Sequence, residues 1–261
     1  MLVYIMTDLE GISGIVDFEY MDRATHFYQS ARELLMGDVN AAIAGCYDGG
    51  ATEVVVHDGH FTGNNFITSL LDPRCTLLDK NSPPWTASLD SSFDATLFVG
   101  THGMAGTLNG FLDHTMSSTQ WFEYSINGQP LGEIGMWATM ASHFKVPLVY
   151  TCGDEAACAE ARALLPGIVA TPVKRGVGRN HAVGLHPDKA HELIRRDVAA
   201  ALSVGPKKFP KCIQWRKPLT VRLTFYRSDY ADACAAGNSS LKRINARTVE
   251  KKTSSLLDIV L

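Results

Sequence analysis

Long apolar runs are missing from this 261-residue chain, and none approaches the ~20 residues that a membrane-crossing helix needs. Cysteine is scarce and scattered. The six thiols (Cys46, Cys75, Cys152, Cys158, Cys212 and Cys234) form no C-x-x-C pair, which argues against a disulfide framework and for reduced thiols. A basic cluster is absent too, and the formal net charge of −3 argues against a nucleic-acid partner. No signal-peptide pattern opens the chain, because the first apolar run is short and acids follow it at once. The expected location is therefore the cytoplasm. Internal repeats and low-complexity tracts are also lacking. What is there, at 46% hydrophobic and 20% charged residues, is an ordinary globular composition with ample core.

The organising stretch is the first fourteen residues. Residues 2–6 are apolar throughout and read as a strand buried on both faces. They run into Thr7-Asp8-Leu9-Glu10, followed by Gly11 and Gly14. Residues i and i+2 of an extended backbone point the same way, so Asp8 and Glu10 form a pair. In an open α/β sheet the carboxyl end of a strand is the functional edge. Two acids side by side there repel, and a divalent cation would neutralise them. A solvated strand end is the plain alternative.

Apolar spacing predicts a helix over residues 28–47, ended by Gly49 and Gly50, and then a strand over 52–56. Strand, helix and strand make a βαβ crossover. Further strands are expected at 75–78, 95–100, 147–151 and 168–174, with an irregular segment through Pro83 and Pro84. A hairpin is expected from 121–126 through Asn127-Gly128 to 131–133. Helices follow at 134–144, from Asp154-Glu155 to Leu165, and at 187–203. Residues 206–210 resemble a linker, then come a strand at 219–225, a helix at 229–236 and a last element to Leu261. The fold class is α/β: a mostly parallel sheet with flanking helices, plus a small C-terminal α+β extension. The division is a catalytic, metal-binding domain at 1–205 and an extension at 206–261, with a loose boundary.

Asp8, Glu10, His60 and His102 each lie just past a buried strand, and Glu133 begins a helix. In a parallel sheet those strand ends share one edge. Two imidazoles and three carboxylates suit zinc, which takes nitrogen and oxygen donors. Five ligands exceed what one catalytic zinc takes from protein, so a pair of zincs bridged by a carboxylate accounts for them. His57 competes with His60, and spacing does not choose between them. His114 is a further candidate, as a general base or an electrostatic partner of the tetrahedral intermediate. Lys174-Arg175 and Arg179-Asn180 offer a carboxylate-binding group or merely a solvated basic face.

Several pieces together resemble the DppA-type D-aminopeptidases, a family of binuclear zinc peptidases. They are Thr7-Asp8-Leu9-Glu10-Gly11-Ile12-Ser13-Gly14, Asp58-Gly59-His60 with Asn64-Asn65, Gly100-Thr101-His102, Asp113-His114-Thr115-Met116, and Asn127-Gly128 followed by Gly132-Glu133-Ile134-Gly135. The likeness runs from residue 1 to about 205 and is looser beyond. It implies zinc ligands at Asp8, Glu10, His60, His102 and Glu133, with Asp8 bridging two zinc ions. It favours His60 over His57 and makes His114 the catalytic nucleophile. It also implies release of N-terminal D-amino acids from short peptides, and a homo-oligomeric, decameric ring that shelters the site. The rival readings are a binuclear hydrolase of another amide or a phosphoester, and a metal- or peptide-binding protein without catalysis. The phosphoester reading is weakened by the absence of a strong positive cluster.

Overall fold

The computed structural model describes residues 1–78 and 85–261. The expected irregular segment at Pro83 and Pro84 lies outside the described residues. The first strand, β1 (Leu2–Thr7), leads into α1 (His26–Asp48) and returns as β2 (Glu53–Asp58). After a short β3 (Thr76–Leu77) come β4 (Ala95–Thr101) and the hairpin β5 (Trp121–Ile126) and β6 (Gln129–Pro130). Then α2 (Glu133–His143), β7 (Leu148–Asp154), α3 (Glu155–Leu164), β8 (Val169–Gly178) and β9 (His181–Gly184) follow. The chain ends with α4 (Pro187–Ser203), β10 (Leu219–Phe225), α5 (Ser228–Ala235), β11 (Leu241–Arg243) and β12 (Thr248–Thr253).

Seven strands form one sheet in the order β3-β2-β1-β4-β7-β8-β9, parallel except for the edge strand β9. Strand alternation divides its side chains between two cores. Val3, Ile5, Val54, Val56, Leu97 and Val99 face α1 and α4. Tyr4, Met6, Val55 and Phe98 face the opposite way, toward α2. The central strands β1 and β4 are buried along almost their whole length because both faces are covered. On α1, Ala31, Leu35, Val39, Ala42, Ile43 and Cys46 recur at helical spacing and are fully buried. They meet Ala190, Ile194 and Val198 of α4.

The second sheet was not foreseen. Its order is β11-β12-β10-β5-β6, so residues after 206 complete a sheet that the 121–130 hairpin begins. Along β10, Leu219, Val221, Leu223 and Phe225 are buried, and they share a core with Trp121, Tyr124 and Ile126. Between the two sheets runs α2, buried at every residue from Glu133 to Ala141. An apolar helix surrounded on all sides is the expected occupant of such a layer.

Two hairpins differ from expectation. Asn127 and Gly128 both have positive φ (52° and 81°), as a type I′ turn requires. The return strand therefore starts at once, at Gln129, rather than at 131; it stops at Pro130, which has no N–H to donate. Strand β8 runs on to Gly178 and pairs with β9, where glycines at 176 and 178 had masked the strand pattern. Against this, α4 and β10 occupy the expected residues. Among the described residues no helix is long and apolar enough to cross a membrane.

Candidate metal centre

Parallel pairing of β2, β1 and β4 brings three strand ends to one edge. The loop after β1 is pinned there. Asp8 N donates to the Val99 carbonyl and Gly11 N to the Gly100 carbonyl, each at 2.8 Å. Gly100 is what allows this approach: its φ is +86°, and a Cβ on it would lie 2.2 Å from the Asp8 carbonyl oxygen.

Asp8 lies between two histidines. Its Oδ1 is 3.0 Å from His60 Nδ1, and its Oδ2 is 3.2 Å from His102 Nε2. Glu10 Oε2 also approaches His60 Nδ1, at 3.0 Å. Glu133 occupies the first turn of α2, with Oε1 3.6 Å from His102 Nε2. All five expected ligand side chains therefore converge, in two sets joined by Asp8. His114 joins the second set. Its ring stacks on that of His102, with centroids 4.0 Å apart and planes 8° apart, and its Nε2 lies 3.7 Å from Glu133 Oε1. Donor atoms of Asp8, Glu10 and His60 lie within 4.8 Å of one another, as do those of His102, His114 and Glu133.

His57 takes no part. Strand alternation turns it to the opposite face, where Nδ1 meets the Tyr4 hydroxyl at 2.8 Å. His60 lies two residues past the strand on a turn held by Asn65, whose Nδ2 donates to the His60 carbonyl at 2.9 Å and to Asp58 at 2.8 Å.

Hydrogen bonds on the far side of two rings set their tautomers. His102 Nδ1 donates to the Gly103 carbonyl at 3.0 Å, and His114 Nδ1 to that of Leu112 at 2.8 Å. The bare Nε2 of each ring then faces carboxylate oxygens. An unprotonated nitrogen 3.2 Å from a carboxylate is repulsive unless a proton or a metal ion lies between them. Among the described residues, buried His102 Nε2 and Glu10 Oε2 have no hydrogen-bond partner. The electrostatics agree. Burial works against charge on His60 and His102, yet the adjacent carboxylates outweigh it and raise both imidazoles well above their usual value. Burial would also raise Asp8 and Glu133, but the histidines hold both below the usual carboxylate range. The site stabilises positive charge, and its donors fit two divalent ions of nitrogen- and oxygen-binding character.

Two supporting residues, Asp38 and Glu160, escape the sequence reading, and a third, Lys174, has neither of the roles offered for it there. Asp38, on the apolar stripe of α1, accepts from Ser13 N and Oγ at 2.8 and 2.6 Å and so fixes the loop after Glu10. An acid at a helical position between Leu35 and Ala42 was the available signal. Glu160 of α3 accepts from Met104 N at 2.9 Å, and burial pushes its carboxyl up to about 7. Lys174 is neither solvated nor in the cavity. Its ammonium is buried, donates to the Glu10 and Ile15 carbonyls at 2.8 and 2.6 Å, and is pulled down by burial to about 7.

Above the histidines opens a cavity of about 460 Å³. Asp8, Glu10, His60, His114 and Glu133 form its floor, and Phe18, Met21, Phe61, Trp85 and Arg179 contribute walls. Its size suits a small ligand.

The chain is similar to known proteins along nearly its whole length. A family profile described as D-aminopeptidase matches residues 1–261. A D-aminopeptidase of Bacillus subtilis (strain 168) is 32% identical over 228 residues, covering 87% of this chain and 82% of that protein. The solved structure of the Zn-dependent D-aminopeptidase DppA from Bacillus subtilis, a self-compartmentalizing protease, superposes with a TM-score of 0.93 at 28% identity. That match covers 99% of this chain and 94% of the other. The chain belongs to the D-aminopeptidase family.

Proposed function

We infer that this protein is a zinc-dependent aminopeptidase that releases N-terminal D-amino acids from short peptides. One observation carries the inference. Asp8 directs one carboxylate oxygen to each of two histidine-containing sets, the arrangement of a ligand shared by two ions. Asp8, Glu10 and His60 would hold one zinc, and His102 and Glu133, with Asp8, the other. When bound, zinc acidifies water and stabilises negative charge developing on a peptide carbonyl oxygen.

His114 is assigned the proton or nucleophile chemistry. Its Nδ1 donates to Leu112, so Nε2 is the basic nitrogen, and it faces the cavity floor. Leu112 and Met116, on either side, have positive φ (51° and 58°), a costly backbone that holds the ring against His102. The acidic floor attracts the free α-amino group of a peptide, which fits an exopeptidase acting at the N-terminus.

The preference for D-residues rests on the family, and self-compartmentalization on the solved Bacillus subtilis relative. We assign this chain to a closed homo-oligomer, a ring of ten, around the sites. Residues 1–205 would supply the chemistry, and 206–261 the extension that completes the second sheet. Six unpaired thiols suit a reducing compartment such as the cytoplasm.

The direct test is hydrolysis of D-Ala-D-Ala and L-Ala-L-Ala, with metal content measured on the same sample. Turnover of the D-form with about two zincs per chain is expected. Two zincs with turnover of neither peptide would discard the substrate, and absence of metal from freshly purified protein would discard the centre.

Zinc binding should also depend on pH in a defined sense. His60 and His102 have folded pKa values raised above the ordinary 6.5. Their protonation stabilises the metal-stripped fold fully below that value, and this contribution is lost as pH rises through the raised values. Zinc replaces those protons, so its stabilisation grows over the same window. Scanning calorimetry of stripped protein should show a larger gain in Tm on adding zinc at about pH 8 than at about pH 6. Equal gains would mean that binding displaces no imidazole proton.

A further inference from the structure

One wall of the cavity has no part in the chemistry assigned above. We propose that Arg179 is the carboxylate subsite: it binds the C-terminal carboxylate of the substrate and so selects free-acid peptides of two or three residues. The proposal rests on the aminopeptidase reading and names its substrate class.

The cavity is electrostatically polarised. Its floor carries Asp8, Glu10 and Glu133, and Arg179 is the sole Lys or Arg among the described residues that line it. A zwitterionic peptide entering this field aligns its amino end with the acids and its carboxylate with the guanidinium. Arg175, four residues earlier in β8, is exposed and lines no part of the cavity, and Lys174 is buried beneath the floor. Of the basic residues in this stretch, only Arg179 is placed to meet substrate.

Its position is built. Arg179 occupies the turn between β8 and β9, and its carbonyl accepts from Leu112 N at 2.7 Å. Its Nε lies 3.4 Å from Asp113 Oδ1, while Asp113 Oδ2 accepts from Gly106 N at 2.7 Å. Asp113 thus aims the guanidinium through Nε. Nη1 makes only a long contact of 3.5 Å with Asn180 Oδ1, so the Nη1–Nη2 edge has donors for a bidentate carboxylate. The side chain is 45% exposed, so it meets ligand without first breaking a buried pair.

The size of the cavity favours short substrates. Arg179 and His114 line the same cavity, and Asp113, the ion-pair partner of Arg179, directly precedes His114. An extended dipeptide spans ~7 Å, and a cavity of about 460 Å³ takes a peptide of that size. A longer peptide would carry its carboxylate past Arg179 and gain nothing from it.

The experiment compares D-Ala-D-Ala with its C-terminal amide, using the zinc-loaded wild type and Arg179→Gln. A charged hydrogen-bonded pair changes affinity by roughly tenfold or more. The wild type is expected to prefer the acid by that factor in kcat/KM, through KM. In Arg179→Gln the acid-to-amide ratio should fall toward one, and Arg179→Lys should restore part of it. Equal use of both peptides by the wild type, or an equal loss on both in Arg179→Gln, would overturn the subsite. Turnover of neither peptide by the wild type would instead defeat the aminopeptidase reading. Calorimetric binding of the acid and the amide would then decide Arg179 alone, equal affinities counting against it.

Discussion

Replacing Asp8 by Asn is expected to lower zinc content from about two per chain to below one and to reduce kcat/KM by at least ~10³-fold, the several kcal/mol of transition-state stabilisation that catalytic metal supplies. The size of the effect follows from geometry. Asp8 holds both of its oxygens close to different histidines, His60 at 3.0 Å and His102 at 3.2 Å, whereas the second such approach of Glu10, to His114 Nε2, is 4.0 Å. An amide of the same shape presents one oxygen and an NH₂ group that repels a cation. It also removes the negative charge that favours cation binding beside both rings. Losing Glu10 or Glu133 would weaken one set, whereas losing Asp8 weakens both. Elemental analysis and peptide turnover on the same preparation measure this, with circular dichroism as the control for folding. Two zincs retained at wild-type turnover would remove Asp8 from the bridging position.

His114→Ala should separate catalysis from metal binding. Turnover is expected to fall by ~10²–10⁴-fold, the range for losing a positioned general base, while zinc content stays near two per chain. The structure makes this a demanding test, because His114 is grouped with His102 and Glu133 closely enough to act as a ligand itself. Loss of one zinc along with turnover would move His114 into the ligand set. Its stacking on His102 adds a further readout. A pH–rate profile that loses one limb in the variant would identify the imidazole as the titrating group.

Local rules made much of the centre legible. Uniformly apolar strands ending in acids and histidines can be recognised one at a time, and a parallel sheet gathers such ends at one edge. That is enough to nominate Asp8, Glu10, His102 and one of His57 and His60, with Glu133 at the start of a helix, and to place α4 from its proline and apolar spacing. Period-two alternation could not distinguish His57 from His60, because His60 lies beyond the strand on a turn shaped by Asn65. Non-local contacts decided the rest. Strand β10 pairs with β5 across nearly a hundred residues, and short apolar strands carry no mark of their partner. Lys174 and Arg179 look alike in the chain, yet one lies buried under Glu10 and the other lines the cavity. The sequence by itself determined which side chains were available for metal chemistry and the type of element bearing each one. Only the tertiary structure decided which of them share one volume, because burial and charge pairing depend on neighbours that the chain brings together only when folded.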